Sequence, residues 1–396
     1  ADELNDSDAG IVYADAYEQP RIDYQPGSIR DDFDFGPLIG LSMSAVRSVL
    51  NKYGAVEQDL RWSALYDLRL KIATNYPIVR VPEPLYGAQD PDTRDSGARQ
   101  FDYVSPLQKE YQDEMERVAT AHLRRIGAYL KPSFRRVSEV VEPFPVRASI
   151  VIPVRNREST LRFALSSALE QQADFSYNVI VVDNHSTDRT SAIIEEIGDQ
   201  RLVHLVPERR DLGIGGCWNE AIYSDRCGRY ALQLDSDDLF SETNVLARIV
   251  DLMDAESYAM IVGSYRTVDF EFQEIPPGFV DHREWTRENG HNNALRVNGF
   301  GAPRAYDVTV VRRFGFPNVS YGEDYAVGLR TCREYEIGRI FEPLYLCRRW
   351  EGNSDSSPTI EELNRFNSYK DWIRTSEMRA RVAMNQARDA SSVGDD

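Results

Sequence analysis

From residue 148 onward the chain alternates between short apolar runs and longer segments with apolar residues at helical spacing. Residues 148–154 (ASIVIPV), 178–183 (NVIVVD), 202–206 and 230–235 (YALQLD) are β-rich runs of strand length. Each reads as a buried strand. Between them, residues 161–169, 190–197 and a segment opening at Gly213 read as helices. Strands alternating with helices predict parallel β-α-β units with right-handed crossovers. Ligands of such sheets bind beyond the carboxyl ends of the strands. Two of the predicted strands end there on an acid, Asp183 and Asp235.

The N-terminal block has a different texture. Residues 107–130 carry Met115, Val118, Leu123 and Ile126 at roughly helical spacing, which predicts a helix. Pro143 and Pro145 flank Phe144 in a stretch with few periodic apolar residues, so 135–147 reads as a linker. The block also contains an echo of the later sequence. Tyr66, Leu70, Tyr76, Ile78, Arg80 and Glu83-Pro84-Leu85-Tyr86 recur 259 positions later (325 − 66) as Tyr325, Leu329, Tyr335, Ile337, Arg339 and Glu342-Pro343-Leu344-Tyr345. A weaker echo pairs Ile11-Val12 with Ile261-Val262. The first block therefore reads as a repeat of the second half of the later domain, as though a tandem protein had been truncated ahead of Ala1. Its aromatic residues Phe33, Phe35, Trp62, Tyr66 and Tyr86 are expected in its core. Asp32-Phe33-Asp34 has no buried strand leading into it and reads as a loop. The expected organisation is a first block over 1–134, the linker over 135–147, a main domain over 148–379, and a polar tail over 380–396 that loses order toward its end.

Charge narrows the partners. The net charge is −18 over 396 residues. A surface that acidic repels nucleic acid and anionic lipid, so any anionic ligand needs a local cation. The apolar runs are far shorter than a membrane span, and no signal peptide opens the chain. A cytoplasmic protein is expected. Cys217, Cys227, Cys332 and Cys347 form no C-x-x-C pair and read as reduced, mostly buried thiols.

Four short motifs stand in order: SIVIPVRNR (149–157), VVDNHSTD (181–188), LDSDD (234–238) and GED (322–324). Together they resemble the family 2 glycosyltransferases of the GT-A fold, over roughly residues 148–350. The resemblance implies an α/β protein with a mostly parallel nucleotide-diphospho-sugar transferase sheet flanked by helices, preceded here by a partial GT-A-like block. It implies that Pro153 and Asp183 hold the nucleoside, with Arg155, Asn156 and Glu158 in the same loop. Asp188 is explained equally well by helix capping. Asp235 would lie near the ribose, with Ser236 next to it in the donor site. Asp237 would reach a Mn2+ or Mg2+ ion on the diphosphate, since such hard cations take carboxylates and phosphate oxygens. Gly213 and Asn219 belong to a segment running from a loop into a helix beside the donor; many family members carry Asn where this chain has Asp211.

Glu323 and Asp324 correspond to the acceptor-side pair. Asp324 is expected to be the general base, with Glu323 as its alternate or an acceptor ligand. The echo places Ala64 and Leu65 at these positions in the first block, which is therefore expected to be inactive. Arg348-Arg349-Trp350 loosely resembles the R-W ending of a processive motif. Leu346 occupies its Gln position, so non-processive transfer is expected, with Arg349 balancing diphosphate charge. Arg304 and Trp350 are expected on the acceptor side. The stretch carrying His282, Trp285, His291, Asn292 and Asn293 would form a mobile lid or acceptor wall. The implied reaction moves a sugar from a nucleoside diphosphate, UDP preferred, to a hydroxyl of a carbohydrate or glycoconjugate, with inversion. Two rival readings are a nucleotidyltransferase making nucleotide sugars and a non-catalytic glycan-binding or scaffold protein of this fold. The first is disfavoured because no Gly-rich basic loop follows the first strand.

Overall fold

The computed structural model describes residues 8–17, 19–87, 109–138, 143–350 and 358–393. They form two compact units, one drawn from Ala1–Pro132, Glu284–Asn298 and Ser357–Asp396, the other from Ser133–Arg283 and Gly299–Ser356. This differs from the contiguous division expected at 134 and 379. Residues 284–298 and the last helix group with the first unit because their polar side chains are satisfied there. The buried Arg296 guanidinium donates to Gln112 Oε1 at 2.8 Å and faces Asp31 at 3.2 Å. His291 Nε2 lies 2.8 Å from the Leu130 carbonyl. Asp371 meets both Arg374 (2.8 Å) and Arg30 (3.2 Å). Buried polar groups need such partners, and partners distant in sequence leave no trace in hydropathy. Of the residues expected to wall an acceptor, His291, Asn292 and Asn293 are buried in the first unit, Trp285 is half-buried there, and His282 belongs to the second unit. The polar tail expected from residue 380 is helical, the continuation of one helix over Ile360–Val393.

In the first unit, β1 (Ile11–Ala16), β2 (Ile39–Leu41), α1 (Met43–Tyr53), α2 (Ala64–Ala73), β3 (Ile78–Tyr86) and α3 (Lys109–Arg125) follow in order. Ser42 caps α1, its hydroxyl accepting from the Ala45 N–H. The sheet order is β2-β1-β3, with β2 antiparallel and β3 parallel to β1. Ile11, Val46, Val49 and Ile72 form one core, and Tyr13, Phe33 and Phe35 another. Of the aromatics expected inside, Tyr66 is also buried, Tyr86 is half-buried, and Trp62 is not in the core at 44% exposure.

The second unit runs β4 (Ala148–Val154), α4 (Leu161–Leu169), β5 (Tyr177–Asp183), α5 (Thr190–Ile197), β6 (Leu202–Leu205), α6 (Ile214–Tyr223), β7 (Tyr230–Gln233), β8 (Leu239–Phe240), α7 (Val245–Glu256), β9 (Met260–Val268), β10 (Glu274–Val280), β11 (Arg304–Asp307), α8 (Val308–Val311), α9 (Glu323–Cys332) and β12 (Ile337–Arg348). One sheet takes them in the order β6-β5-β4-β7-β11-β9-β12-β8, with β10 alongside β9. Strands β4 to β7 pair in parallel, as their apolar runs predict. Strand β11 is antiparallel to both neighbours, and β12 returns parallel to β9. The result is a mixed α/β sheet, parallel from β6 through β7 and antiparallel at β11, β10 and β8. Strand β7 stops two residues short of Asp235, whose N–H leaves the ladder to bond the Tyr345 hydroxyl oxygen at 2.9 Å. Cys217, Cys227 and Cys332 are buried free thiols, and Cys347 is half-buried.

The two units share a local pattern. β2-β1-β3 has the pairing senses of β11-β9-β12, and α2 precedes β3 as α9 precedes β12. Helices α2 and α9 begin and end 259 positions apart (323 − 64 and 332 − 73). Both parallel ladders slip at the same place, where Asp15 faces Pro84 and Ser264 faces Pro343. The registers align Ile11 with Met260, one position from the pairing read in the sequence. The helix starts differ in chemistry. Helix α9 opens with its own Glu323 and Asp324. At the start of α2, Glu114 of α3 accepts from the Arg61, Trp62 and Ser63 N–H groups at 3.0, 2.9 and 2.7 Å. Burial raises the Glu114 pKa, but these bonds and the Ser63 hydroxyl outweigh it and bring it to about 2.

Candidate active site

Two loops at the carboxyl ends of β4 and β5 are laced together. Asn156, at φ 53°, accepts from the Thr187 N–H through Oδ1 (2.7 Å), and its own N–H bonds Ser186 Oγ (3.0 Å). Glu158 Oε2 accepts from the Arg189 N–H (3.0 Å), and Asp188 accepts from the Glu158 and Thr190 N–H groups (3.1 and 2.9 Å). Asp188 thus takes the first N–H of α5 from the position ahead of the N-cap, Arg189. The Asn156 and Glu158 side chains hold one loop to the other. Asp183 is buried, accepting from the Ser186 N–H (2.8 Å) and the Ser191 hydroxyl (2.5 Å), with His204 Nε2 at 3.4 Å. Burial alone would raise its pKa; the serine hydrogen bonds outweigh that and hold it below the usual carboxylate range. Pro153 precedes the last residue of β4 and pairs with Val182, while Arg155 is exposed on the loop.

The glycines at the start of α6 serve packing. A Cβ on Gly213 would meet the Val319 backbone at 2.5 Å, and one on Gly215 would meet the Pro317 carbonyl oxygen at 1.9 Å and Glu323 Cβ at 2.9 Å. Asn219 is also committed: its amide donates to the Phe316 carbonyl and accepts from the Phe316 N–H, both at 2.8 Å. These residues fix the segment ahead of α9, and so the position of its two acids.

The acids converge from β7, the loop after it, and α9. Gln233 Nε2 donates to both oxygens of Asp235 at 2.9 Å. Ser236 is buried in the same turn. Trp350 Nε1 donates to Asp237 Oδ2 at 3.2 Å. Asp238 accepts from the Arg348 N–H at 2.7 Å, and the Arg348 guanidinium donates to the Asp237 carbonyl while lying over Phe163 and Phe270. Arg304 Nη1 pairs with Asp324 Oδ2 at 2.6 Å and also donates to the Gly301 carbonyl at 2.8 Å. Arg349 follows Arg348, its N–H on the Val268 carbonyl at 2.9 Å. Burial raises the Asp235 pKa, and Asp237 and Asp324 raise it further. Burial, Asp237 and Asp235 together push Asp238 well up.

Glu323 is 8% exposed, and its Oε2 is buried without a hydrogen-bond partner. Burial, reinforced by Asp324, pushes its carboxyl up to about 8. The sign follows. The unfolded carboxyl titrates near 4.5. The folded state therefore holds this proton more tightly, and the resulting stability is full below about pH 4.5 and lost as pH rises through about 8. With divalent metal chelated, Glu323→Gln is expected to flatten the fall in thermal stability between pH 6 and 9, as read by scanning calorimetry. Parallel wild-type and variant curves would remove Glu323 as its source.

Two residues expected on the acceptor side are occupied within this cluster: Arg304 by Asp324, and Trp350 by Asp237. Gln233 was missed in the sequence; a buried amide at the last position of a strand that runs into an acid motif was the available signal. Among the described residues, no group of three or more His, Cys, Asp or Glu side chains is arranged to hold a metal ion. No helix there is long and apolar enough to cross a membrane.

A parallel sheet whose strand ends gather acids beside an acid-led helix is the arrangement of a glycosyltransferase. Residues 149–314 match the profile of glycosyl transferase family 2. Two Escherichia coli proteins, WfgD and WfaP, both named UDP-Glc:alpha-D-GlcNAc-diphosphoundecaprenol beta-1,3-glucosyltransferase, are similar to this chain. WfgD is 29% identical over 55% of this chain and 82% of its own. WfaP is 32% identical over 46% of this chain and 68% of its own. A structure of S. aureus TarS 1-349 in complex with UDP-GlcNAc is also similar, at 21% identity and TM-score 0.45 over 59% of this chain and 72% of that one. The chain belongs to glycosyl transferase family 2.

Proposed function

We propose that the second unit transfers a sugar from a nucleoside diphosphate, with UDP preferred, to an acceptor hydroxyl, in a non-processive reaction that inverts the anomeric centre and depends on a divalent cation. The observation that carries this reading is the cluster of Asp235, Asp237, Asp238, Glu323 and Asp324, with Arg304 ion-paired to Asp324 and Arg348 against Asp237 and Asp238. The E. coli relatives, named for UDP-Glc donors and a diphosphoundecaprenol-linked acceptor, favour UDP-glucose and a lipid-linked sugar as the first pair to test.

The donor set suits Mn2+ or Mg2+. Its atoms are hard carboxylate oxygens, and mutual repulsion with burial raises Asp235 and Asp238. These cations commonly take only one or two carboxylates, completing their shell with substrate phosphates and water. That is compatible with a site lacking a three-residue cage. Asp237 is the proposed ligand, with Asp235 beside it toward the ribose. Once bound there, the cation supplies Lewis-acid neutralisation of the leaving diphosphate.

The protein's own groups do the rest. The interlocked loops carrying Asn156, Glu158 and Asp183 shape the nucleoside side, with Pro153 and Arg155 adjoining. Gly213 and Asn219 set the approach of α6 to α9. Asp324 takes the proton as the acceptor oxygen bonds to the anomeric carbon and the bond to the diphosphate breaks. Glu323, buried beside it, is the reserve acid–base group. Arg349 balances diphosphate charge, and Arg304 and Trp350 border the acceptor. The first unit, which repeats the pairing of the acceptor half without its acids, is proposed to be a partial, catalytically inactive GT-A-like block.

Calorimetric titration with UDP, GDP and dTDP, each with and without Mn2+, tests the reading. The expected result is metal-dependent binding strongest for UDP. No binding of any nucleotide with any metal would sink it.

A further inference from the structure

We infer that Gln233 is a positioning residue that locks the Asp235 carboxylate for recognition of the donor's ribose. The inference rests on the proposed donor site. Strands β7 and β11 are antiparallel with Leu232 opposite Ala305, which brings Gln233 opposite Arg304. Gln233 is 3% exposed, so both ends of its amide need partners. Its nitrogen donates to both Asp235 oxygens at 2.9 Å, and its oxygen accepts from the Arg304 N–H at 3.3 Å. The orientation of the amide is unambiguous. A backbone N–H can face only the amide oxygen, and a carboxylate can accept only from the amide nitrogen.

The consequence is a carboxylate that cannot rotate freely. One nitrogen spans both oxygens, and the amide is pinned from behind by the β11 backbone, next to the Arg304–Asp324 pair. The Asp235 N–H is tied separately to the fully buried Tyr345 hydroxyl. The remaining lone pairs of Asp235 therefore point in fixed directions, as a hydroxyl-selective acceptor requires. A leucine or methionine at 233 would fill the strand position and leave Asp235 free to turn. The amide thus carries the positioning function, beyond packing.

The test is a double-mutant cycle read by nucleotide binding. UDP, 2′-deoxy-UDP and 3′-deoxy-UDP are titrated with Mn2+ into wild type, Gln233→Met, Asp235→Asn and the double variant. A hydrogen bond to a charged group corresponds to roughly tenfold or more in affinity. Wild type is expected to prefer UDP over at least one deoxy analogue by about that factor. Gln233→Met should lose about tenfold for UDP and little for that analogue, so that the preference collapses. Asp235→Asn should do the same, and the double variant should be no worse than either single. Equal losses for UDP and both analogues in Gln233→Met, or additive effects in the cycle, would overturn the inference while leaving the donor site intact. A wild type that binds no UDP would overturn the donor site itself. If Gln233→Met does not fold, Gln233→Asn, which keeps an amide one methylene shorter, is held to the same loss of preference.

Discussion

Replacing Asp237 with alanine is expected to remove the metal-dependent part of nucleotide binding, lowering affinity for UDP with Mn2+ at least about 100-fold. Outer-shell partners of metal ligands already change metal affinity about 10–100-fold, and Asp237 is proposed as a direct ligand. Electrostatics sets the scale. A diphosphate brought to the ionised carboxylates of this cluster, Asp237 and Asp324 among them, meets like charge, and two unit charges about 4 Å apart repel by about 4 kcal/mol at an effective dielectric of about 20. Arg304 offers little relief, because it is ion-paired with Asp324 at 2.6 Å. The proposed metal dependence would offset that repulsion, with Asp237 as the proposed ligand. The alanine variant also strands the Trp350 indole N–H that donates to Asp237, which costs about 1 kcal/mol of stability. Asp237→Asn separates the two effects, since its amide oxygen can still accept from Trp350 while its negative charge is gone. Both variants should lose Mn2+-dependent binding, and the asparagine should keep wild-type thermal stability. Full metal-dependent binding in both would move the cation away from Asp237.

The parts of this site that were legible in the sequence are those fixed by short-range pattern. Residues 150–154 and 179–182 are apolar because their strands are covered on both faces, and Asp183 at the end of the second marks the ligand end of parallel strands. The acid motifs after β7 and at the start of α9 were likewise visible. What the sequence concealed depends on pairing across the sheet. Nothing local says that Arg304 spends its charge on Asp324, or that Trp350 turns to Asp237. The segment holding Gly213 and Asn219 read as lying beside the donor; nothing local showed that it also lets α6 settle against residues 316–320 and Glu323. The same limit explains the domain boundaries. Arg296, His291 and Asn292 look like surface loop residues until their buried partners are known.

The Asp324→Asn variant puts the proposed chemistry to its sharpest test. General-base catalysis contributes about 10²–10⁴-fold, so kcat should fall about 10³-fold while the KM for the nucleotide sugar changes little. The exchange is nearly isosteric. It leaves the Gly301 carbonyl on the Arg304 guanidinium and Asp235 close by, so the fold should survive. A residue that only anchored Arg304 would behave differently. Its loss would shift thermal stability and the KM of both substrates together, and Arg304→Gln would reproduce it in full. The neighbouring acid supplies the decisive contrast. Glu323 has an unpartnered buried oxygen and a carboxyl raised to about 8, so it can act as the base only in the fraction that is deprotonated, which grows as pH rises through about 8. If Asp324→Asn keeps kcat within about tenfold of wild type and Glu323→Gln loses about 10³-fold, the proton goes to Glu323. Asp324 is then the partner that orients Arg304. If Asp324→Asn alone loses activity, the half-buried Asp324, more exposed than the buried Glu323, is where the acceptor hydroxyl meets its base.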